Sequence, residues 1–181
     1  MLSLVWSKRE SSMVSKTSFE SLDEWTLFSW GEAGWTPTFE SLGKGRYTLS
    51  GWHIGEREET GQASDWGLSA VADQKINETV QVFARWGFAD GDAANIQNYA
   101  QVGTGFRGLM GDPGDMAGLA FSYAFPTASS ARDEKVLEAF YRWQLTRFAQ
   151  FSLGAQSIFD PSNGPSHDVV GAFWGRVRIV I

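Results

Sequence analysis

Val80-Gln81-Val82-Phe83-Ala84-Arg85-Trp86-Gly87-Phe88 decides the fold class. Val80, Val82, Ala84, Trp86 and Phe88 share one side of a period-two pattern, opposite Gln81, Phe83, Arg85 and Gly87. Side chains alternate faces along a β-strand, so this period marks a strand with one apolar and one polar face. The pattern recurs outward from there. In 65–73, Trp66, Leu68, Ala70 and Ala72 oppose Asp65, Gly67, Ser69 and Asp73. In 149–159, Phe151, Leu153, Ala155 and Phe159 oppose Ser152, Gly154 and Gln156. In the last strand, Phe173, Val177, Ile179 and Ile181 oppose Arg176 and Arg178.

Residues 134–146 are the best helical candidate, because Glu134, Lys135, Leu137 and Glu138 are good helix formers. The segment alternates better than it spirals. Leu137, Ala139, Tyr141, Trp143 and Leu145 fall on one face, and Glu138, Phe140, Arg142, Gln144 and Thr146 on the other, with Phe140 the one apolar intruder. Segments 24–35, 45–54, 95–108 and 115–125 read as strands of weaker alternation, for about nine strands in all.

Turn chemistry separates the runs: Asp90-Gly91-Asp92, Asp112-Pro113-Gly114-Asp115 and Asp160-Pro161-Ser162-Asn163-Gly164-Pro165 are reversal signals. Connections 74–78 and 147–149 read as short, and 55–64, 126–133 and 160–168 as longer. Alternation of tight turns with longer loops is the habit of outer-membrane barrels.

Composition agrees. The 181 residues include nine Trp, thirteen Phe and 20 Gly but only 5 Pro. A net charge of −6 argues against a nucleic-acid partner. Without cysteine, neither a disulfide framework nor a thiolate metal site is available. No run of about 18 apolar residues exists, so no transmembrane helix is expected. Residues 1–20 are polar and mixed, and the apolar patch Leu2–Trp6 is too short for a signal-peptide core. They are read as a separate N-terminal segment, followed by a β-barrel over 21–181.

In lipid, a sheet satisfies its backbone only as a closed barrel. A small barrel packs its lumen, and a large one leaves a water channel. The polar faces carry Arg85, Gln101, Arg107, Glu138, Arg142, Gln144, Gln156, Arg176 and Arg178, groups able to hydrogen-bond sugar hydroxyls. The same residues suit a salt-bridged plug in a narrow barrel. Trp25, Trp30, Trp35, Trp52, Trp66, Trp86 and Trp143 are expected in interfacial girdles. Trp174 shares a face with Arg176 and Arg178, which makes it the best exception.

Several stretches together resemble the carbohydrate-selective porins of the OprB type. Val82-Phe83-Ala84-Arg85-Trp86-Gly87-Phe88-Ala89-Asp90-Gly91 is similar to a family strand and turn. Trp66 to Gln74 precedes it. Tyr99, Val102-Gly103-Thr104-Gly105 and Gly118-Leu119-Ala120-Phe121-Ser122 follow, and then Leu137 to Leu145, Leu153 to Pro161, Val170-Gly171-Ala172 and Arg176. The order and spacing carry the resemblance from about residue 25 to the end. It implies a sixteen-stranded channel for sugar diffusion in a Gram-negative outer membrane, of which this chain supplies about half. The N-terminal half and signal peptide would lie outside the chain, and Ile181 stands where family barrels end in an aromatic residue.

Other motifs fall away. Ser166-His167-Asp168 is sequential, whereas a catalytic triad is defined by geometry. His53 with Glu56 and Glu58 reads as a strand end and charged loop rather than a metal site. Asp90, Asp92, Asp112 and Asp115 match no calcium loop. Gly103-x-Gly105-x-x-Gly108 lies in a strand pattern with no following helix, unlike a dinucleotide fingerprint.

The reading is therefore all-β: an antiparallel transmembrane barrel, non-catalytic, without cofactor or metal. Its partners are carbohydrate solutes and outer-membrane lipid, a homo-oligomer is left open, and no nucleic acid is expected. Arg85, Arg107, Glu138, Arg142, Gln144, Gln156, Trp174, Arg176 and Arg178 are expected to line the pore. A small closed structural or ligand-binding barrel without a pore is the alternative.

Overall fold

The computed structural model describes residues 2–6, 27–56, 61–164 and 166–180. They form eleven strands: β1 (Leu2–Trp6), β2 (Leu27–Trp35), β3 (Thr38–Phe39), β4 (Gly43–Ile54), β5 (Asp65–Lys75), β6 (Val80–Ala89), β7 (Ile96–Arg107), β8 (Met116–Pro126), β9 (Glu134–Gln144), β10 (Ala149–Phe159) and β11 (Val169–Ile179). Every pairing is antiparallel, in the order β1-β2-β4-β5-β6-β7-β8-β9-β10-β11, with β3 paired to β4. Among the described residues β1 and β11 are the edges, so the sheet is open. The expected strands are all present, with boundaries within a few residues. Two more were not anticipated: the short β3, and β1, which lies in the segment set apart from the barrel. Trp25, Glu58 and Ile181 lie outside the described residues.

Connections 76–79, 108–115 and 145–148 leave the sheet at one end, and 55–64, 90–95, 127–133 and 160–168 at the other. These are called the turn end and the loop end. The stretch 108–115 holds the reversal signal expected at Asp112–Asp115. It is built on Asp112, whose carboxylate accepts from the Gly114 amide at 2.7 Å, with Gly108 and Gly111 in left-handed conformations at φ 66° and 101°.

At the loop end Asp65 is 2% exposed. Its carboxylate accepts from the amides of Trp66 at 2.6 Å, Gly91 at 2.7 Å and Ala93 at 2.9 Å. This one side chain on β5 fixes the β6–β7 connection, and three charge-assisted hydrogen bonds offset its burial. The connections on either side of β9 and β10 are bound by ion pairs. Arg132 reaches Asp160 at 3.4 Å and Asp168 at 3.0 Å, and Lys135 reaches Asp160 at 3.1 Å.

The registers sort the sheet into two faces, because directly paired residues of antiparallel strands point the same way. Leu49, Ala70, Trp86 and Ala100 form one continuous row of the apolar face. Thr48, Val71, Arg85, Gln101 and Ser122 form a row of the opposite face. Among the described strand residues the only buried apolar side chains are Ala89 and Ala124. The sheet therefore has no hydrophobic core of its own, and its apolar face stands exposed.

Candidate functional site

All nine residues singled out from the sequence lie on the polar face. From loop end to turn end its registers form successive rows across the strands. Arg85 of β6 pairs with Gln101 of β7. One row further, Glu138 of β9 pairs with Ala120 and Gln156. Then Phe140 pairs with Gly118 and Gly154, and Gly154 with Trp174 of β11. Arg107 pairs with Met116, Met116 with Arg142, Arg142 with Ser152, and Ser152 with Arg176. Last, Gln144 pairs with Gln150, and Gln150 with Arg178. The Gln150 amide donates to the Gln144 carbonyl oxygen at 2.8 Å.

Glycines explain how large rings fit on this face. A Cβ added at Gly118 would lie 2.2 Å from Cε1 of Phe140, and one at Gly154 would lie 2.3 Å from Cε2 of Trp174. Each ring thus occupies the space over its neighbour's bare backbone that a side chain would fill. Phe83 does the same over Gly103, and Trp52 over Gly67. Phe140 and Trp174 lie 6.4 Å apart with planes 35° apart, forming a two-ring platform. Glu138 and Gln156 flank it towards the loop end, and Arg142, Ser152 and Arg176 towards the turn end. Consecutive same-face residues on a strand stand about 6.6–6.8 Å apart. Hydrogen-bonding groups therefore border both sides of the platform, within reach of a ligand the size of one sugar ring.

A depression of about 360 Å³ adjoins it, lined among others by Asp73, Phe83, Arg85, Gln101, Glu138 and Phe140. It brings Arg85 and Glu138 to one hollow. The Arg85 guanidinium also sits 4.9 Å from the centroid of the Phe83 ring, a cation–π contact. Sequence reasoning missed Asp73, Phe83 and Phe140 as members of the site. Phe140 was visible as the intruder in an alternating run, and its partner Gly118 was the absent clue.

The ion pairs seen among the described residues stand at the two ends of the sheet, at Lys75–Glu78 and around Arg132 and Lys135. None involves Arg85, Arg107, Arg142, Arg176 or Arg178. Nε of Arg142 is buried without a hydrogen-bond partner. A plug of paired charges is therefore not what these strands display.

The apolar face carries aromatic pairs near both ends. Trp66–Phe88 at 5.5 Å and Tyr123–Phe125 at 4.5 Å stand towards the loop end. Trp35–Tyr47 at 5.7 Å, Tyr141–Trp143 at 4.7 Å and Trp143–Phe151 at 5.7 Å stand towards the turn end. Trp30 and Trp52 depart from the girdle expectation, because their registers put them on the polar face opposite each other and Gly67. Glycines and serines dilute the alternation of β2 and β4, which hid this.

A sheet of long antiparallel strands with an exposed apolar face and an arginine-rich polar face defines the wall of a membrane β-barrel. The sequence model of the carbohydrate-selective porin, OprB family, matches residues 27–179, and the chain belongs to that family. It is similar in structure to Pseudomonas putida OprB at high pH, with a TM-score of 0.72 and 19% identity. The match covers 85% of this chain and 48% of that one, so this chain spans about half the length of its structural relative. No curated protein matches the sequence.

Proposed function

We propose that this chain forms part of the wall of an outer-membrane channel through which carbohydrates diffuse passively. The observation that carries the reading is the exposed apolar face. Leu49 and Val102 are each 56% exposed and Leu153 is 47% exposed, in mid-strand and with almost no apolar interior among the described residues. Such a surface is stable against lipid and a liability in water. The polar face then meets water inside the barrel, and the two aromatic bands settle at the membrane interfaces.

Transport in this reading needs no chemical step. A sugar ring lies over Phe140 and Trp174, whose faces match the apolar C–H surface of a pyranose. Its hydroxyls exchange water for Glu138 and Gln156 as acceptors and for Arg142, Arg176 and Arg85 as donors. The contacts are numerous and individually weak, so the solute is oriented without being trapped. Gln144, Arg107 and Arg178 continue the hydrated lining towards the turn end.

Expression with and without detergent tests the reading. A β-rich, heat-resistant species that appears only in detergent supports it, and a monodisperse β-rich monomer in plain buffer contradicts it. In proteoliposomes Arg142→Ala with Arg176→Ala should change sugar flux and ion selectivity. Unchanged values would overturn the assigned lining.

A further inference from the structure

The polar face is electrically lopsided along the strands. Glu32 and Glu134 share one register row near the loop end, running through Ser50, Ser69, Gly87, Tyr99 and Ala124. The next two rows mix signs, with Arg85, Arg46, Asp73 and Glu138. The three rows nearest the turn end carry Lys44, Lys75, Arg107, Arg142, Arg176 and Arg178 and, among the described strand residues, no carboxylate. A chain of net charge −6 thus gathers six of its described strand cations into one band, with Arg46, Arg85 and Lys135 outside it.

Among the nearby acids only Glu78 offsets part of that band, at its Lys75 edge. Glu78 pairs with Lys75 at 2.8 Å and also faces Arg107 across the turn. Asp115 is turned to the apolar side, where it accepts from the Tyr141 hydroxyl at 2.9 Å and the Gln144 amide at 2.8 Å. Glu138 stands two rows from Arg142. Arg107, Arg142 and Arg176 lie in one row, separated only by Met116 and Ser152, and Nε of Arg142 is buried with nothing to bond. Guanidinium groups spaced this way suit a carboxylate or phosphate. The Phe140–Trp174 platform occupies the adjacent row, so a sugar ring stacked there holds an acidic substituent over Arg142 and Arg176.

We propose that this arginine row is an anion subsite and that the channel favours sugars bearing a carboxylate or phosphate over neutral sugars. The proposal rests on the channel reading above. Its test is uptake of labelled D-glucose, D-glucuronate and D-glucose 6-phosphate into proteoliposomes at two salt concentrations. At 0.01 M salt, where the Debye length is about 30 Å, the acidic sugars should enter about fivefold faster than glucose. At 1 M, where it falls to about 3 Å, the ratio should approach one. The ratio at low salt should also drop in Arg142→Gln/Arg176→Gln and persist in the doubly lysine-substituted variant. A faster rate for glucuronate assigns the subsite to carboxylates, and a faster rate for glucose 6-phosphate assigns it to phosphates. Equal entry of all three at low salt overturns the anion subsite and leaves the channel standing. Entry of none overturns the channel reading and the subsite with it.

Discussion

Replacing Gly154 with alanine probes the packing that makes the platform. The new methyl carbon would sit 2.3 Å from Cε2, 2.4 Å from Cζ2 and 2.6 Å from Nε1 of Trp174. Ordinary contact begins near 3.4 Å, so the indole must retreat by about 1.1 Å. With the affected atoms about 4 Å from Cβ, that is a swing of roughly 15°, and a 30° departure from a rotamer costs about 0.5–1.5 kcal/mol. Lost wall contact adds to this, giving a total of about 1–3 kcal/mol, typical of an overpacked site. Guanidinium unfolding in detergent measures it as a lower midpoint at unchanged slope. The diagnostic arm is the double mutant. In a Trp174→Ala background the clash is gone, and alanine in a strand interior is no worse than glycine, so Gly154→Ala should be neutral or stabilising. Gly171→Ala is the control, because a Cβ there meets nothing within 4 Å. Equal destabilisation by Gly154→Ala with and without Trp174 would refute the ring-on-glycine account.

Other perturbations have definite outcomes. Asp65→Ala leaves the Gly91 and Ala93 amides without their acceptor; the expected loss is about 1–3 kcal/mol, with faster amide exchange over 91–93. Asp160→Asn removes partners of Arg132 and Lys135 at groups more than a third exposed. It should cost under about 1 kcal/mol while speeding proteolysis within 160–168. The Lys75 ammonium, by hydrogen bond and charge, holds the Glu78 carboxyl below its ordinary value of 4.5. The stability it contributes is therefore complete above that value and lost as pH falls through the lowered one. Amide exchange in the turn 76–79 should accelerate on acidification below 4.5, and Glu78→Gln should abolish that response.

The period of two made much of this molecule legible in advance. In β5, β6, β10 and β11 each described residue assigned to a face lies on it, since one-residue slips invert a strand and alternation guards against them. All nine candidate site residues share a face for the same reason. Register was not legible, because it depends on connection lengths and bulges. The irregularity between Ile96 and Asn98 is one such case. The row joining Arg107 to Arg176 and the meeting of Phe140 with Trp174 therefore emerged only from the structure. Asp65 was equally hidden, since it reads as an ordinary polar-face residue while its partners lie 26 and 28 positions along the chain. Trp30 and Trp52 show the converse hazard. Aromatic abundance suggested a girdle, but residue type alone does not say which way a strand's side chain points.

The central claim is that one face of this sheet meets water and the other meets lipid. The chain has no cysteine, so single cysteines report cleanly on both. Gln101 and Val102 are neighbours on β7 with opposite facings, and Gln156 and Leu153 serve the same purpose on β10. Each is replaced by cysteine in proteoliposomes and treated with a charged, water-soluble thiol reagent and with a bilayer-dissolved one. The account predicts that positions 101 and 156 react with the first, and positions 102 and 153 only with the second. Rapid labelling of positions 102 and 153 from water, with 101 and 156 protected, would contradict it.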